Sequence, residues 1–420
     1  MAEATRIPCI ADQKIWQILL IGFIAIAFTT IWLRTYETLN ALIWMNDFVR
    51  ANRWTIPAGV LLFSFLVGLS EKYLHAPDVI KGGFAESMQG EGSHGDYRLF
   101  PGTLLSSFLS LFSGASVGPE GPLAFLITEI SGWVREKLNV AKDSALGFDI
   151  AALSSAYNGI IGSPLFTAVF ATEFNVGKKD AIKFLAWNLV AGVLGFLFIY
   201  FIGQKSFADF LSFPAIQEIT APDVIYAVIL GILGACVAVF LGLAMKGTGT
   251  LVERTFKGHI MARIMGAGII IAIVCYLIPD LMFSGETQIH SIIDGAAGIG
   301  IAMLVIMAVL KALLLALSFK SGYLGGPIFP TIFICTMIGL ALSLAFPQVP
   351  VGMLVMCLMV AVITLALGVP LTAILLVAVV GTANENMIVL LVLSSGVSLI
   401  LGVIIRDIRA RRIAGEGAAG

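Results

Sequence analysis

The chain has 420 residues, of which 59% are hydrophobic and 12% charged, with a mean hydropathy of +0.99 and a formal net charge of −1. A soluble domain carries about 25% charged residues, so the composition excludes an ordinary soluble protein and points to an integral membrane one. Arginines and lysines are scattered rather than gathered into a stripe, which excludes a nucleic-acid surface, and neither the five cysteines nor the four histidines show metal-ligand spacing, so no metal or cofactor is expected.

A membrane-spanning helix needs about 20 apolar residues. Nine stretches qualify: 15–33, 54–70, 184–202, 224–245, 261–278, 301–319, 328–346, 353–367 and 387–405. The first is followed by Arg34 and has no small-residue cleavage site, so it reads as a retained span rather than a signal peptide. Five further stretches, 104–112, 123–134, 150–161, 165–174 and 371–380, are about half a span each and are cut by glycine or proline. Interrupted segments of this kind mark transporter-type binding sites near the bilayer midplane.

Arg406, Arg409, Arg411 and Arg412 follow the last span, and Arg6 and Lys14 precede the first. The excess of basic residues puts both termini in the cytoplasm and requires an even number of crossings, so with nine full spans the half-length segments must complete the count. The polar stretch 81–98, with Glu86, Glu91, His94 and Asp96, reads as a solvated connection. No long hydrophilic region exists, so a single transmembrane domain over 1–420 with no soluble domain is expected. Lys311, inside an apolar span, must find a partner, and bonding to carbonyls at helix ends is the favoured reading.

One break stands out. Residues 113–122 read SGASVGPEGP, a glycine-rich interruption with a single carboxylate, Glu120. Irregular backbone at membrane depth is tolerated only where it is buried in protein or lines a wet cavity, and an ionisable residue there is a functional candidate by default. The helix expected over 123–134 would turn its free N–H groups and positive dipole end toward the break, making a backbone anion site.

The pattern recurs. VGPEGP at 117–122 is followed by GSPLFTAVF at 162–170, and GYLGGPIFP at 322–330 is followed by GVPLTAILL at 368–376. The spacing is 42 residues from Pro122 to Pro164 and 40 from Pro330 to Pro370. Two repeated halves, over about 54–210 and about 223–405, would be inverted and would aim both breaks at one point.

These residues resemble the CLC family of chloride channels and proton-coupled chloride antiporters. Gly118-Pro119-Glu120-Gly121-Pro122 is similar to the family's G-[RK]-E-G-P motif, and Gly326-Pro327-Ile328-Phe329-Pro330, preceded by the small-residue run 321–325, is similar to G-x-F-x-P. The Pro-Leu half-helix after each motif and Phe283-Ser284-Gly285-Glu286 also fit, and the likeness extends from about Ala76 onward. The resemblance implies an all-α membrane protein, an inverted repeat of tilted and half-length transmembrane helices. It also implies a homodimer in the cell membrane, with one anion pathway per subunit, that is not an enzyme. By similarity Glu120 is the gating carboxylate, and Gly118, Gly121, Gly82, Ile328 and Phe329 supply the anion-binding backbone. A carboxylate and a halide carry the same charge and compete for one positive pocket; protonation removes the competitor.

The departures matter as much. The family's first anion motif, G-S-G-I-P, corresponds here to Lys81-Gly82-Gly83-Phe84-Ala85, so the serine position falls on Gly82 and offers no hydroxyl. Pro327 stands where a backbone N–H is usual, and proline has none, which leaves Ile328 and Phe329 as the amide donors. No tyrosine follows Tyr323, so the family's central tyrosine has no counterpart. The proton-accepting glutamate of the family's antiporters aligns with Phe174, beside Glu173. A phenylalanine relays no proton, which favours a channel-like or weakly coupled pathway for a small inorganic anion, chloride foremost. The alternative is a proton-coupled chloride or fluoride antiporter using Glu173 as a substitute internal acid.

Overall fold

The structure, a computed structural model, describes residues 14–74, 96–140, 145–175, 181–208 and 210–417. Among them sixteen α-helices form: α1 (Ile15–Trp44), α2 (Asp47–Ala51), α3 (Thr55–Leu74), α4 (Phe100–Phe112), α5 (Glu120–Leu138), α6 (Ala145–Ala156), α7 (Pro164–Asn175), α8 (Ala181–Ile202), α9 (Ala221–Phe256), α10 (Ile260–Leu277), α11 (Glu286–Ile299), α12 (Ile301–Ser321), α13 (Ile328–Ala345), α14 (Val351–Leu367), α15 (Pro370–Val380) and α16 (Glu385–Gly417). The only extended pairing among the described residues is one antiparallel bridge, Gly118 to Gly326. The all-α membrane architecture expected from the sequence is the one observed.

Among the described residues eight helices are long and apolar enough to cross a bilayer. The ninth expected span, 353–367, is α14, which at 17 residues falls short of the other eight. The stretch expected as a half-span over 123–134 is longer, a 19-residue helix beginning at Glu120 itself. Glu120, Arg135 and Lys137 interrupt the apolar run without interrupting the helix, and Asn139 closes it in the left-handed conformation, φ 50°. Helix α11, 14 residues long, was hidden from the hydropathy pattern by Glu286, His290 and Asp294.

The chain forms two compact units, neither contiguous in sequence. This is a different partition from the two halves of the sequence repeat. The first unit holds residues 1–210, 245–288 and 310–330. Within it α10 packs along α3, and α1 packs on α6 and α8. Ser155 donates to the Gly22 carbonyl at 2.8 Å, a small-residue contact that brings helix backbones close without an apolar driving force. The Trp44 indole N–H caps the end of α4 through the Phe112 carbonyl at 3.1 Å.

The second unit holds residues 211–244, 289–309 and 331–420. Its core is α14, buried at every position from Gly352 to Thr364. Helix α16 is fastened to it by Ser394 donating to the Cys357 carbonyl, Ser398 donating to the Ala361 carbonyl, both at 2.7 Å, and a Thr364–Ser395 hydroxyl pair at 2.8 Å.

The repeat is visible in the backbone. Gly162 (φ +71°) precedes Pro164, which opens α7, and Gly368 (φ +75°) precedes Pro370, which opens α15. In both places a left-handed glycine ends one segment and a proline starts the next. Likewise Pro122 and Pro330 are each the third residue of their helices, α5 and α13.

Candidate functional site

Glu120 is the first residue of α5 and Ile328 the first residue of α13. The loops leading into these helices lie antiparallel, with the Gly118 and Gly326 amides exchanging hydrogen bonds with each other's carbonyls at 2.8 Å in both directions. Glycine is needed for so close an approach. A Cβ on Gly121 would lie 2.6 Å from the Gly325 carbonyl oxygen and the Gly326 nitrogen, one on Gly325 would strike Val117, and one on Gly326 would strike the Glu120 carboxylate.

This pairing puts the Glu120 side chain across the start of α13. Its Oε1 accepts from the Ile328 amide at 2.7 Å and from the Phe329 amide at 3.4 Å. First-turn N–H groups have no acceptor inside their own helix, so a buried anion is the natural partner for them. Glu120 is 1% exposed, and its Oε2 has no hydrogen-bond partner among the described residues. The carboxylate is therefore held by one oxygen only.

The surroundings are cross-linked by hydrogen bonds. The Tyr157 hydroxyl donates to the Glu120 backbone carbonyl at 3.0 Å. Ser110 Oγ accepts from the Leu324 amide at 3.0 Å, and Ser318 Oγ accepts from the Ser116 amide at 3.1 Å, tying each break to the other's supporting helix. Lys311, 0% exposed, donates to the carbonyls of Leu281 (3.1 Å), Met282 (3.5 Å) and Phe283 (2.5 Å). Phe283 N–H in turn donates to the Gly114 carbonyl at 3.2 Å, so this buried cation braces the first break from behind.

The sequence-derived residues fall as follows. Glu120, Gly118, Gly121, Ile328 and Phe329 come together. The Gly118 amide is committed to Gly326, and Gly121 lies in the first turn of α5. Pro327 stands immediately before α13, so Ile328 and Phe329 are its first two residues. Gly82 and Lys81 lie outside the described residues, as does the side chain of Phe174. Glu173 is partly buried near the end of α7.

Three residues escaped sequence reasoning. Tyr157 sits inside an apolar half-span, and nothing local reveals that its hydroxyl reaches Glu120. Glu129, nine positions after Glu120 on α5, is 3% exposed; Thr103 donates to its Oε1 at 2.6 Å, and its Oε2 has no partner among the described residues. Asp149, also buried, is neutralised by Arg135 at 3.0 Å and receives the Ser131 hydroxyl at 2.5 Å, a structural pair. Among the described residues no group of three or more His, Cys, Asp or Glu assembles that could hold a metal ion.

A bundle of long and half-length apolar helices, with two glycine-rich breaks pressing helix starts around one buried acid, defines a multi-pass membrane protein. The family model for the voltage gated chloride channel matches residues 59–402. The chain belongs to this CLC family, whose members are transporters and channels rather than enzymes. It is 24% identical over 261 residues to the "Putative ion-transport protein YfeO" of Salmonella newport and 23% identical over 264 residues to the protein of the same name from Escherichia coli O1:K1. These matches span 61% of this chain and 62% and 61% of the relatives' lengths. Among solved structures, a slow cyanobacterial Cl−/H+ antiporter superposes with a TM-score of 0.80 at 18% identity, covering 93% of this chain and 94% of that one. A CLC-type fluoride/proton antiporter superposes with a TM-score of 0.77 at 17% identity, covering 92% and 94%.

Proposed function

We propose that the protein carries small inorganic anions, chloride foremost, through a pathway gated by Glu120. The observation that carries this reading is the Glu120 carboxylate, bonded through one oxygen to the Ile328 and Phe329 amides at the start of α13. A buried anionic group on helix-start amides stands in for a mobile anion at the same point, because both satisfy the same donors. The ionised side chain blocks; once protonated or displaced it yields the amides to the solute. The missing hydroxyl at Gly82 leaves backbone amides as the main ligands, and these accept any compact anion. Flux assays in proteoliposomes with chloride, fluoride and nitrate in turn test the reading and rank the anions.

A second reading, proton-coupled exchange, draws support from Glu129. A buried carboxylate with one unpaired oxygen is costly to keep ionised and suits a group that takes up and releases protons. Glu129 is a better internal acid on this ground than Glu173, which is only partly buried. An imposed chloride or fluoride gradient that drives protons uphill favours the exchanger; anion flux without linked proton movement favours the channel. We further infer a homodimer in the cell membrane with both termini cytoplasmic, which cross-linking and terminal-tag accessibility check.

A further inference from the structure

One buried acid has no part in the pathway described so far. Glu286 is the first residue of α11, belongs to the first unit and is 8% exposed. Its Oε2 receives the Ser284 hydroxyl. The turn that carries it is docked on the first break. The Phe283 N–H donates to the Gly114 carbonyl at 3.2 Å, and Lys311 holds the carbonyls of Leu281, Met282 and Phe283. The Phe283 ring also lies edge-on to Trp44 of α1, with centroids 5.6 Å apart.

Helix α1 completes this junction. Tyr36, Asn40 and Trp44 follow at four-residue steps and are all buried, so they share one face of the helix. Tyr36 stacks on the Phe112 ring, with centroids 5.9 Å apart and planes at 15°, and the Trp44 indole N–H donates to the Phe112 carbonyl at 3.1 Å. Asn40, between these two contacts, therefore faces the place where the break meets the Glu286 turn. It is 6% exposed, and its Oδ1, like Oε2 of Glu120, has no partner among the described residues. The two acids lie within electrostatic reach of each other, and the Tyr36 hydroxyl is within reach of both. The other charges that reach Glu286 are Lys311 of α12 and Glu37 of α1, while Tyr157 sits on the backbone carbonyl of Glu120. The Ser284 hydroxyl and the Lys311 charge favour ionised Glu286 against the cost of its burial.

We infer that Glu286 is the second acid of the gate, a positioning residue whose negative charge presses the Glu120 carboxylate off the Ile328 and Phe329 amides. The inference rests on the Glu120 reading and adds what sets the balance between the blocking and the released side chain. Like charges in a weakly polarisable interior repel over distances at which water would quench the force. Salt screens a buried pair much less than a surface one.

The test is chloride flux by the full chain in proteoliposomes, measured against pH. A neighbouring negative charge makes a carboxylate harder to keep ionised, so Glu286→Gln lets Glu120 stay on the amides to lower pH. The midpoint of the rise in flux with falling pH moves down by about 0.5–1 pH unit, and flux on its alkaline side falls about 3- to 10-fold. Glu286→Asp, which keeps the charge, lies closer to wild type than to Glu286→Gln. Ser284→Ala keeps the acid but removes its donor; it moves the midpoint the same way by less, and it carries the test should Glu286→Gln fail to fold. Added impermeant salt leaves the shift in place. The inference is overturned if Glu286→Gln and Ser284→Ala keep the wild-type midpoint, if Glu286→Asp moves it as far as Glu286→Gln, or if salt abolishes the shift. Glu120→Gln in the same assay separates the two levels. Should its flux still follow pH as in wild type, the Glu120 reading fails and takes this inference with it; a flat Glu120→Gln profile beside an unmoved Glu286→Gln midpoint removes the inference about Glu286 alone.

Discussion

Two buried charges in the first unit, Lys311 and Glu120, are held in opposite ways. Lys311 reaches three backbone carbonyls, Leu281, Met282 and Phe283. Glu120 has two amides on Oε1 and none on Oε2 among the described residues. A buried charge shared among three backbone carbonyls is part of the scaffold, and moving it leaves several groups unpaired at once. A buried charge supplied on one side only can leave, provided something of the same sign takes its place. The difference fits Lys311 to holding the break and, on the proposed reading, Glu120 to exchanging with the transported anion.

That contrast is broken or sharpened by substitution. The largest effect is expected from Lys311→Met, which strands three carbonyls and releases the 281–283 loop from behind Gly114. Each unpaired group costs about 1–3 kcal/mol, so the variant loses several kcal/mol and a large share of its folded yield, measured by size-exclusion profile and thermal unfolding in detergent. Glu120→Gln should leave that yield near wild type while changing transport. Wild-type flux rises as pH falls through the titration of Glu120, because the protonated acid no longer competes, and the variant's flux stays flat with pH. A severe folding defect in Glu120→Gln with an intact Lys311→Met would invert the contrast.

A smaller effect is expected from Gly121→Ala. Its Cβ meets the backbone of Gly325 and Gly326 at 2.6 Å, so the paired breaks must move apart at a cost of about 1–3 kcal/mol, read as a lower unfolding temperature and weaker flux. The smallest is expected from Glu129→Gln, which keeps the Thr103 contact and leaves anion flux near wild type. Any proton movement coupled to that flux should fall, and unchanged coupling would remove Glu129 from the exchanger reading.

How much of this was legible in the sequence follows from the range of the contacts. The long apolar helices follow from runs of neighbouring residues, and the starts of α7 and α15 follow from Gly–x–Pro. Helix α11 escapes the hydropathy pattern because polar residues on a short helix erase the apolar run, and α5 extends beyond the expected half-span because Gly121 and Pro122 lie in its first turn rather than before it. Glu120 was found because an acid in a glycine-rich break is locally conspicuous. Its partners Ile328 and Phe329, 208 and 209 positions away, were found only because the second motif repeats the first. Tyr157 and Glu129 have no such echo. Their roles depend on which helices pack together, and that is not written in any local pattern.

The central claim is that Glu120 and the transported anion compete for the Ile328 and Phe329 amides. The direct measurement is bromide binding in crystals of the wild type and of Glu120→Gln, read by anomalous scattering. A bromide against those two amides in the variant, absent in the wild type wherever the Glu120 carboxylate occupies them, is the predicted result. An empty site in the variant, or bromide bound there beside an undisplaced Glu120, would contradict it.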